Sequence, residues 1–311
     1  MTENDIKNLK EIREFLEKNN IKYSIELGNF CLFYDEWPEK RRYEIEYVRA
    51  LDFPIEYPKY DIEGVDKNYF FNKSIEAEKN NSFKMWIKDF EWDDDRKRPI
   101  LKSQILHAYG ITPHKFYARE CIVKEVGTKE GREFEVENCF YGKRGASLSL
   151  GLYLKKDKNG FKKDTLLMLY TFGMNFFGKS KNMLEVLRVG TLKKSYVTGG
   201  ASKLLKHFIK NYETIKIGKR DVEVSVLKFY SDYDHNLGSS MQGIGFKFHN
   251  YSKGGFMNYW AESGEVRHRQ PMKHKWVMTQ IADGKCRSIP NAGVKTFLLD
   301  VSAYKKEVGI A

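Results

Sequence analysis

Residues 183–213 read MLEVLRVGTLKKSYVTGGASKLLKHFIKNYE and contain the change from strand to helix that decides the fold class. MLEVLRVGTL is rich in Val and Leu and predicts a strand. Gly199 and Gly200 then permit a tight turn, because glycine adopts backbone conformations that other residues avoid. The segment after the turn predicts an amphipathic helix whose apolar face consists of Leu204, Leu205, Phe208 and Ile209.

The glycine turn has the chemistry of an anion site. A helix that begins at such a turn directs unpaired N–H groups and the positive end of its dipole to one point, where a pyrophosphate can bind. The segment is neither a P-loop nor a dinucleotide-binding fingerprint, because GxxxxGK[ST] and GxGxxG are both absent. The alternative is a glycine turn that merely starts a packed helix. The candidate phosphate-binding residues are Thr198, Gly199, Gly200, Ala201, Ser202 and Lys203.

The segments around the turn alternate between strand and helix patterns. ASLSLGLYLKK and TLLMLYTFG predict two strands joined by the turn at Asp157–Gly160, and FYARECIVKEV predicts one strand. FKFHNYSKGGFMNYW predicts a strand pair, and CRSIPNAGVKTFLLDVS predicts a hairpin that finishes the domain. The order β-α-β-β-β-α-β-α-β therefore predicts an α/β (mixed α+β) fold with helices on a central sheet.

The N-terminal third predicts a smaller α/β domain. Residues 4–19 have apolar residues at helical spacing, and IKYSIELGNFCLFY predicts a strand pair around Gly28-Asn29. A second helix, the strand SFKMWIKDFEW and a helix through ILKSQILHAYG follow. Gly110 and Pro113 form a helix stop, so we place the domain boundary there, between residues 1–110 and 111–311.

The net charge of +12 is unevenly distributed along the chain. Residues 1–110 contain 19 basic and 23 acidic residues, whereas residues 111–311 contain 35 basic and 19 acidic residues. A basic region of this size favours a polyanionic partner, either nucleic acid or a phosphorylated cofactor. The 41% apolar content excludes a disordered chain, and no apolar run predicts a membrane span or a signal peptide. We therefore expect a protein of the host cell cytoplasm with no membrane partner, and the four dispersed cysteines argue against a zinc site.

Four segments occur in an order that resembles the GNAT acyltransferase superfamily: EVLR (Glu185–Arg188), TGGASKLL, FYSD (ending at Asp232) and GIGF (Gly243–Phe246). The resemblance covers about residues 116–260. The longer series YAREC, ENCFYG, SLSLGLY, LYTFG, LEVLR, TGGASKLLKHFI, YSD and GF is similar to the C-terminal domain of phage homing-endonuclease-like proteins and to the phage Mom family of DNA-modification enzymes. This resemblance implies a GNAT-like central mixed sheet flanked by helices, beside a smaller N-terminal domain.

The resemblance also implies a chemistry, namely acyl transfer from acetyl-CoA or another acyl-CoA. The glycine turn would hold the coenzyme pyrophosphate, Asn236 would lie beside the pantetheine arm, and the backbone near Val189 or Thr198 would supply an amide donor. The base for the attacking amine would be Asp232, Glu185 or His235. From the residues alone, Asp232 can equally cap the following turn and His235 can be a surface residue.

Basic and aromatic residues interleave near the C-terminus, a pattern that suits phosphate contacts beside a stacking ring. A charged, solvated strand beside a core Trp explains the same pattern equally well. We expect nucleic acid, preferably double-stranded DNA, as the partner; the oligomeric state stays open. The candidate contacts are Arg188, Arg267, Arg269, Lys273 and Lys275.

The N-terminal domain resembles phage nucleases related to the very-short-patch repair endonuclease through Glu91-Trp92 and Ile100–Ser103. The acidic strands and the His of that active site do not occur in the sequence. Asp35, Glu36, Glu44 and Glu46 can in principle bind a metal, but they alternate with basic residues, which favours surface charge, and we predict no metal site. We expect a degenerate nuclease or a DNA-docking module.

These features lead to three hypotheses. The first is a phage-encoded GNAT-like acyltransferase that modifies a nucleic-acid base or a DNA-associated target. The second is a non-catalytic DNA-binding protein with the same fold. The third is a homing-type endonuclease relative.

Overall fold

The structure is a computed structural model that describes residues 2–26, 29–32, 42–50, 68–174, 182–260, 262–268 and 274–310. It is a mixed α/β fold whose seven-stranded mixed sheet is flanked by helices, so the predicted fold class is confirmed. Among the described residues, no helix combines the length and the apolar composition that crossing a bilayer requires.

Helices and strands are numbered here along the described part of the chain. The helices are α1 Glu3–Lys18, α2 Tyr69–Lys79, α3 Asp89–Asp93, α4 Lys97–Ala108, α5 Thr128–Asn138, α6 Gly200–Asn211, α7 Ser239–Gln242, α8 His274–Ala282 and α9 Val301–Val308. The strands are β1 Tyr23–Glu26, β2 Asn29–Leu32, β3 Arg42–Val48, β4 Ser82–Lys88, β5 His114–Tyr117, β6 Cys121–Glu125, β7 Leu148–Leu154, β8 Leu166–Met174, β9 Met183–Thr191, β10 Ser195–Thr198, β11 Thr214–Ile217, β12 Arg220–Glu223, β13 Val226–Asp232, β14 Lys247–Ser252, β15 Phe256–Trp260, β16 Glu265–His268, β17 Cys286–Pro290 and β18 Val294–Asp300.

The chain forms two compact units, and neither is a continuous stretch of sequence. The first unit consists of residues 1–98, 232–237 and 251–294, and the second of residues 99–231, 238–250 and 295–311. The sequence predicts one boundary at Gly110, whereas two later segments belong with the N-terminal residues. A single cut at a helix stop cannot describe this arrangement, because local signals do not reveal where a distant segment packs.

The first unit contains a four-stranded sheet in the order β1-β2-β3-β4. Strands β1 and β2 are antiparallel, as the sequence predicts for residues 21–34. Strands β2 and β3 are also antiparallel, and β3 and β4 are parallel with α2 between them in the chain. All seven residues of β4 are buried, including the polar Ser82, Lys84 and Lys88 among its apolar residues. The strand expected through SFKMWIKDFEW ends at Lys88, because Asp89–Asp93 form α3.

The second unit contains the seven-stranded sheet, in the order β14-β18-β13-β9-β8-β7-β6. Strands β6 to β9 are antiparallel neighbours, whereas β9 and β13 are parallel, with Leu184 opposite Leu227. The predicted helix after the glycine turn is α6, and its Leu204 and Phe208 are fully buried. Phe208 stacks on Phe172 of β8 at 4.1 Å between ring centroids. Each such side chain contributes about 1.5–3 kcal/mol of hydrophobic stabilisation.

Two predicted strand pairings near the C-terminus are wrong. Strands β14 and β15 do not pair with each other, because β14 joins the seven-stranded sheet while β15 lies between β16 and β17. Likewise β17 pairs with β15, whereas β18 joins the larger sheet, so residues 286–302 are not a hairpin. At Gly254 and Gly293 the backbone passes too close to another segment for a side chain. A Cβ on Gly254 would lie 1.8 Å from the Asn291 carbonyl oxygen, and a Cβ on Gly293 would lie 2.2 Å from the Ser252 carbonyl oxygen.

The segment FYARECIVKEV is also divided in the structure. A 3₁₀ turn at Ala118–Glu120 separates β5 from β6. Strand β6 is the edge of the seven-stranded sheet, while β5 forms a separate parallel ribbon with β10, the strand that leads into the glycine turn.

Candidate functional site

The glycine turn has the backbone conformation that its sequence predicts. Gly199 has φ of 75° and ψ of 3°, in the left-handed region, and occupies the N-cap position of α6. It has no side chain to cap the helix, and a helix leaves its first N–H groups without intrahelical partners. Gly200 is tightly enclosed, since a Cβ there would lie 3.0 Å from Leu152 and Val197. The start of α6 is therefore geometrically suited to an anion.

Lys203 has a structural role that the sequence does not predict. Its ammonium donates hydrogen bonds to the carbonyl oxygens of Ala118, at 2.8 Å, and Cys121, at 2.6 Å. Burial lowers the pKa of Lys203. Two of the three N–H donors of Lys203 thus hold α6 to the segment that leads into β6. The neighbouring Ser202 side chain forms a hydrogen bond with Tyr304 of α9. Of the remaining predicted phosphate-binding residues, Ala201 is half-buried and Thr198 is exposed.

Glu185 of β9 is the predicted catalytic residue that lies in the second unit. Its side chain is 2% exposed, and Oε1 lies 3.1 Å from Nη1 of Arg144. Oε2 is buried and has no hydrogen-bond partner. Burial raises the pKa of Glu185, and the nearby Arg144 guanidinium opposes part of that rise. A buried carboxylate with one unbonded oxygen and a raised pKa is suited to proton transfer.

A second buried carboxylate lies in the same cluster, and sequence reasoning missed it. Glu135 of α5 accepts hydrogen bonds from the Arg144 backbone N–H at 2.9 Å and from the Thr171 hydroxyl at 3.2 Å. Burial raises the pKa of Glu135 as well. Arg144 therefore bonds two buried acids, Glu135 through its backbone and Glu185 through its guanidinium. The sequence feature that could have identified Glu135 is an acidic residue next to Phe134, which lies on the buried face of a predicted helix.

Arg188, a predicted nucleic-acid contact, is bonded to the protein itself. Its Nε donates to the Gly142 carbonyl at 3.1 Å and its Nη1 donates to that of Leu187 at 2.8 Å. Burial lowers the pKa of Arg188. Val189, beside it, packs against the hydrophobic core. These hydrogen bonds give Arg188 a role in holding the segment after α5 to β9.

Asp232 and His235, the other two predicted catalytic residues, belong to the first unit, where they join a buried ionic network. The Lys88 ammonium lies 2.6 Å from Asp234 and 3.8 Å from Glu91. Nδ1 of His235 lies 2.6 Å from Asp232, and its Nε2 lies 3.5 Å from Glu91. Lys88, Glu91, Asp234 and His235 are each at most 2% exposed. Sequence reasoning overlooked Lys88, whose signal was a lysine directly after Met85, Trp86 and Ile87 in a predicted strand.

The network sets the charge of its members. Burial opposes the charge on His235, but Asp232 and Glu91 raise its pKa to about 10. Burial likewise opposes the charge on Glu91, yet Lys88 and His235 lower its pKa to about 2. His235 is therefore an imidazolium at neutral pH and holds its proton too firmly to serve as a base.

Asp232 also shapes the turn that follows β13. Its Oδ1 accepts the Asp234 N–H at 3.2 Å, and its carbonyl accepts the Asn236 N–H at 2.8 Å. This agrees with the alternative that Asp232 caps a turn. Asn236, predicted beside the coenzyme, is exposed and belongs to the first unit, whereas the glycine turn belongs to the second.

The predicted nucleic-acid contacts near the C-terminus are described only in part. Arg267 lies in β16 and Lys275 in α8, but their side chains lie outside the described residues, as do Arg269 and Lys273 altogether. Trp276 is 43% exposed and stacks on Trp260 at 5.7 Å between ring centroids.

Of the four acidic residues considered as metal ligands, two pair with a lysine and two lie outside the described residues. Lys84 bonds Glu44 at 3.0 Å and Glu46 at 2.9 Å, so one ammonium neutralises part of their charge. Asp35 and Glu36 lie outside the described residues. Within the described ranges, no group of three or more His, Cys, Asp or Glu side chains is placed to hold a metal ion.

The first unit also contains a cavity of about 590 Å³ with several aspartates in its wall. These carboxylates are already used by nearby elements. Asp5 forms a capping box with Thr2 at the start of α1, and Asp93 accepts a hydrogen bond from Asn8 at 2.8 Å. Asp89 accepts the Ala50 N–H at 2.9 Å, and burial raises its pKa to about 6. The cavity wall therefore fixes the N-terminal helix in place.

Comparison of the sequence with models of protein families finds no match. Comparison with curated proteins finds no significant match either. The function must therefore be argued from the geometry of the chain itself.

Proposed function

We propose that this protein is a GNAT-like acyltransferase that uses acetyl-CoA or another acyl-CoA to acylate an amino group of a nucleic-acid base or of a DNA-associated target. The observation that carries the proposal is the state of Glu185: a buried carboxylate with one unbonded oxygen, on the strand that pairs in parallel with β13. The chain runs from this strand through β10 to the glycine turn.

The arrangement of β9, α6 and β13 supports a phosphate-bearing cofactor. In open α/β sheets, ligands bind beyond the carboxyl ends of parallel strands, where helix N-termini point. The left-handed conformation of Gly199 and its missing side chain leave room for a pyrophosphate at the start of α6. When bound, the coenzyme supplies the thioester from which the acyl group is transferred.

Glu185 would act as the general base. Its unbonded Oε2 would accept a proton from the acceptor amine, and Arg144 would hold the carboxylate in place through the other oxygen. Burial raises its pKa towards neutrality, which improves a carboxylate as a base. The backbone near Val189 or Thr198 is the candidate amide donor for the oxygen that develops negative charge.

Charge favours a nucleic-acid acceptor, and double-stranded DNA in the cytoplasm of a phage host is the acceptor we propose. The second unit contains 29 Lys and Arg against 14 Asp and Glu, a net charge of +15. Phosphate contacts from such a surface steer nucleic acid towards the protein and hold it there. The same charge also suits the phosphates of the coenzyme, so the acceptor needs its own test.

Coenzyme binding is tested by calorimetric titration of the full chain with acetyl-CoA. We expect Thr198→Glu to weaken binding about fivefold, because it places a negative charge beside the start of α6, where the coenzyme pyrophosphate would bind. Thr128→Glu is the matched control, since it adds the same charge at an exposed position at the start of α5. Gly200→Asp is less suitable, because a Cβ there already meets Leu152. Absence of binding to wild type, or equal losses in both variants, would contradict the proposal.

The base is tested by mass spectrometry of nucleosides from DNA co-expressed with the protein. We expect an acylated nucleoside with wild type and a reduction of about 10²–10⁴-fold in its rate of formation with Glu185→Gln. Acetyl-CoA affinity should be retained in that variant. Equal modification by wild type and variant would exclude Glu185 as the base. Unmodified nucleosides would redirect the search to a DNA-associated protein acceptor.

A second candidate function is nucleic-acid binding without catalysis. It is favoured by the engagement of Asp232 and His235 in the buried network, which withdraws two of the three predicted catalytic residues. In that case an oligonucleotide would bind while acetyl-CoA would not. A homing-type nuclease is less well supported, because Lys84 pairs with Glu44 and Glu46. A metal-dependent DNA cleavage assay that gives no product would remove it.

A further inference from the structure

The outer face of the ribbon formed by β5 and β10 is aromatic and basic. Lys115 and Tyr117 alternate with the buried Phe116 on β5, and Tyr196 and Thr198 alternate with buried residues on β10. Tyr117 is 37% exposed and Tyr196 is 49% exposed. We call the face formed by Lys115, Tyr117, Arg119, Lys158 and Tyr196 the Tyr117 surface.

Three cations surround the Tyr117 ring. Its centroid lies 5.1 Å from the Arg119 guanidinium, 5.5 Å from the Lys158 ammonium and 6.0 Å from the Lys115 ammonium. Lys158 is paired with Glu120. No carboxylate lies within ion-pair distance of Lys115 or Arg119 in the described part of the chain. Glu120 thus offsets part of the positive charge of this face, and the three cations together leave a net positive charge around the ring.

The Tyr117 surface adjoins the glycine turn. In the ribbon Thr198 lies opposite Tyr117, and Gly199 follows directly. A Cβ on Gly199 would lie 3.5 Å from that of Ala118. The Lys203 ammonium already donates to the carbonyl oxygens of Ala118 and Cys121, and the cations around Tyr117 lie beside the same turn.

We propose that the Tyr117 surface binds the 3′-phosphoadenosine end of the coenzyme, an inference that rests on the proposed function. The adenine stacks on an exposed tyrosine ring, and Lys115 and Arg119 bind the 3′-phosphate. The pyrophosphate at the start of α6 places this end of the coenzyme next to the ribbon. A nucleic-acid strand offers the same chemistry, but a four-residue ribbon is only about 10 Å long and suits a single nucleotide.

The test compares the affinities of CoA and dephospho-CoA, which lacks the 3′-phosphate, by calorimetric titration of the full chain. We expect wild type to prefer CoA by about tenfold. The variant Lys115→Ala/Arg119→Ala should lose this preference while its affinity for dephospho-CoA changes little. Lys216→Ala/Arg220→Ala, with the same charge change at exposed positions of β11 and β12, should keep the preference. Tyr117→Ala should weaken both ligands, whereas Tyr117→Phe should not.

The outcomes separate this inference from the proposed function. Equal affinity of wild type for CoA and dephospho-CoA, with nucleoside modification intact, overturns the Tyr117 surface alone. Loss of the preference in the Lys216/Arg220 control also overturns it, because general charge would then be responsible. Loss of single-stranded oligonucleotide binding in Lys115→Ala/Arg119→Ala, with the CoA preference kept, assigns the face to nucleic acid instead. Failure of any CoA to bind overturns both proposals.

Discussion

Each unit contains a buried cluster of charged side chains, and the two clusters differ in how completely their oxygens are used. In the first unit, Asp234 accepts from Lys88 at 2.6 Å and from the Ala292 N–H at 2.7 Å, one bond to each oxygen. In the second unit, Glu185 bonds Arg144 through Oε1, while Oε2 has no partner.

This difference separates a structural cluster from a chemically available one. Lys88 and His235 oppose Glu91, Asp232 and Asp234, so each buried charge has an opposite neighbour. Removing any one of these side chains would leave a buried charge without its partner and would strongly destabilise the fold. An unbonded buried oxygen is unfavourable for folding alone, and carboxylates of this kind concentrate at functional sites. Burial and charge by themselves do not distinguish the two cases.

The largest expected effect is that of Asp234→Asn. The substitution leaves the Lys88 ammonium without its nearest counter-charge in a site that water does not reach, and should destabilise the first unit by about 3–5 kcal/mol. Urea unfolding followed by tryptophan fluorescence measures it, because the four tryptophans among the described residues belong to the first unit. The double variant Lys88→Met/Asp234→Leu should recover most of the loss. A change below about 1 kcal/mol in Asp234→Asn would show that the network is not structural.

The next effect is a pH dependence set by His235. Its pKa is raised from about 6.5 to about 10 in the folded state, so its contribution to stability is complete below pH 6.5 and is lost as the pH rises to about 10. The slope is at most about 1.4 kcal/mol per pH unit. Urea unfolding between pH 6 and pH 10 should show this decline in wild type and a flatter profile in His235→Gln. Parallel profiles would contradict the assignment.

A smaller effect is expected for Lys203→Met. It removes the donor shared by the carbonyls of Ala118 and Cys121 and should destabilise the second unit by about 1–2 kcal/mol. Urea unfolding is followed by far-UV circular dichroism, which reports both units, and by tryptophan fluorescence, which reports the first, so their difference isolates the second unit. Lys206→Met, an exposed lysine of the same helix, is the matched control and should change stability by less than about 0.5 kcal/mol. Equal effects would mean that Lys203 does not hold α6 in place.

The smallest effect on stability is expected for Glu185→Gln, the counterpart of Asp234→Asn. A neutral amide still accepts from Arg144 and removes a charge that burial disfavours, so the change should lie between zero and about 1 kcal/mol of stabilisation at pH 7. Because burial raises the pKa of Glu185, this gain should grow as the pH rises above about 4.3. Circular dichroism measures it. A decrease of several kcal/mol in the free energy of unfolding would show that Glu185, like Asp234, is required for stability.

The sequence predicted what local patterns determine. The glycine turn and α6 follow from neighbouring residues, since Gly199 permits a positive φ and the apolar residues recur at helical spacing. Strand partners depend on distant residues, which is why the pairing of β17 with β15 was missed. The role of His235 depends on Glu91, and that of Asp234 on Lys88, which lies 146 positions earlier in the chain. No local pattern reveals such a contact.

The separation between Lys88 and Asp234 also has a consequence for biosynthesis. At about 5–20 residues per second, the ribosome needs roughly 7–30 s to add the residues between them. Throughout that interval, the nascent N-terminal segment includes β4, whose last residue, Lys88, is without its main counter-charge. The first unit can therefore complete its folding only after most of the second has been synthesised, and until then its emerging strands are exposed to aggregation and to chaperones.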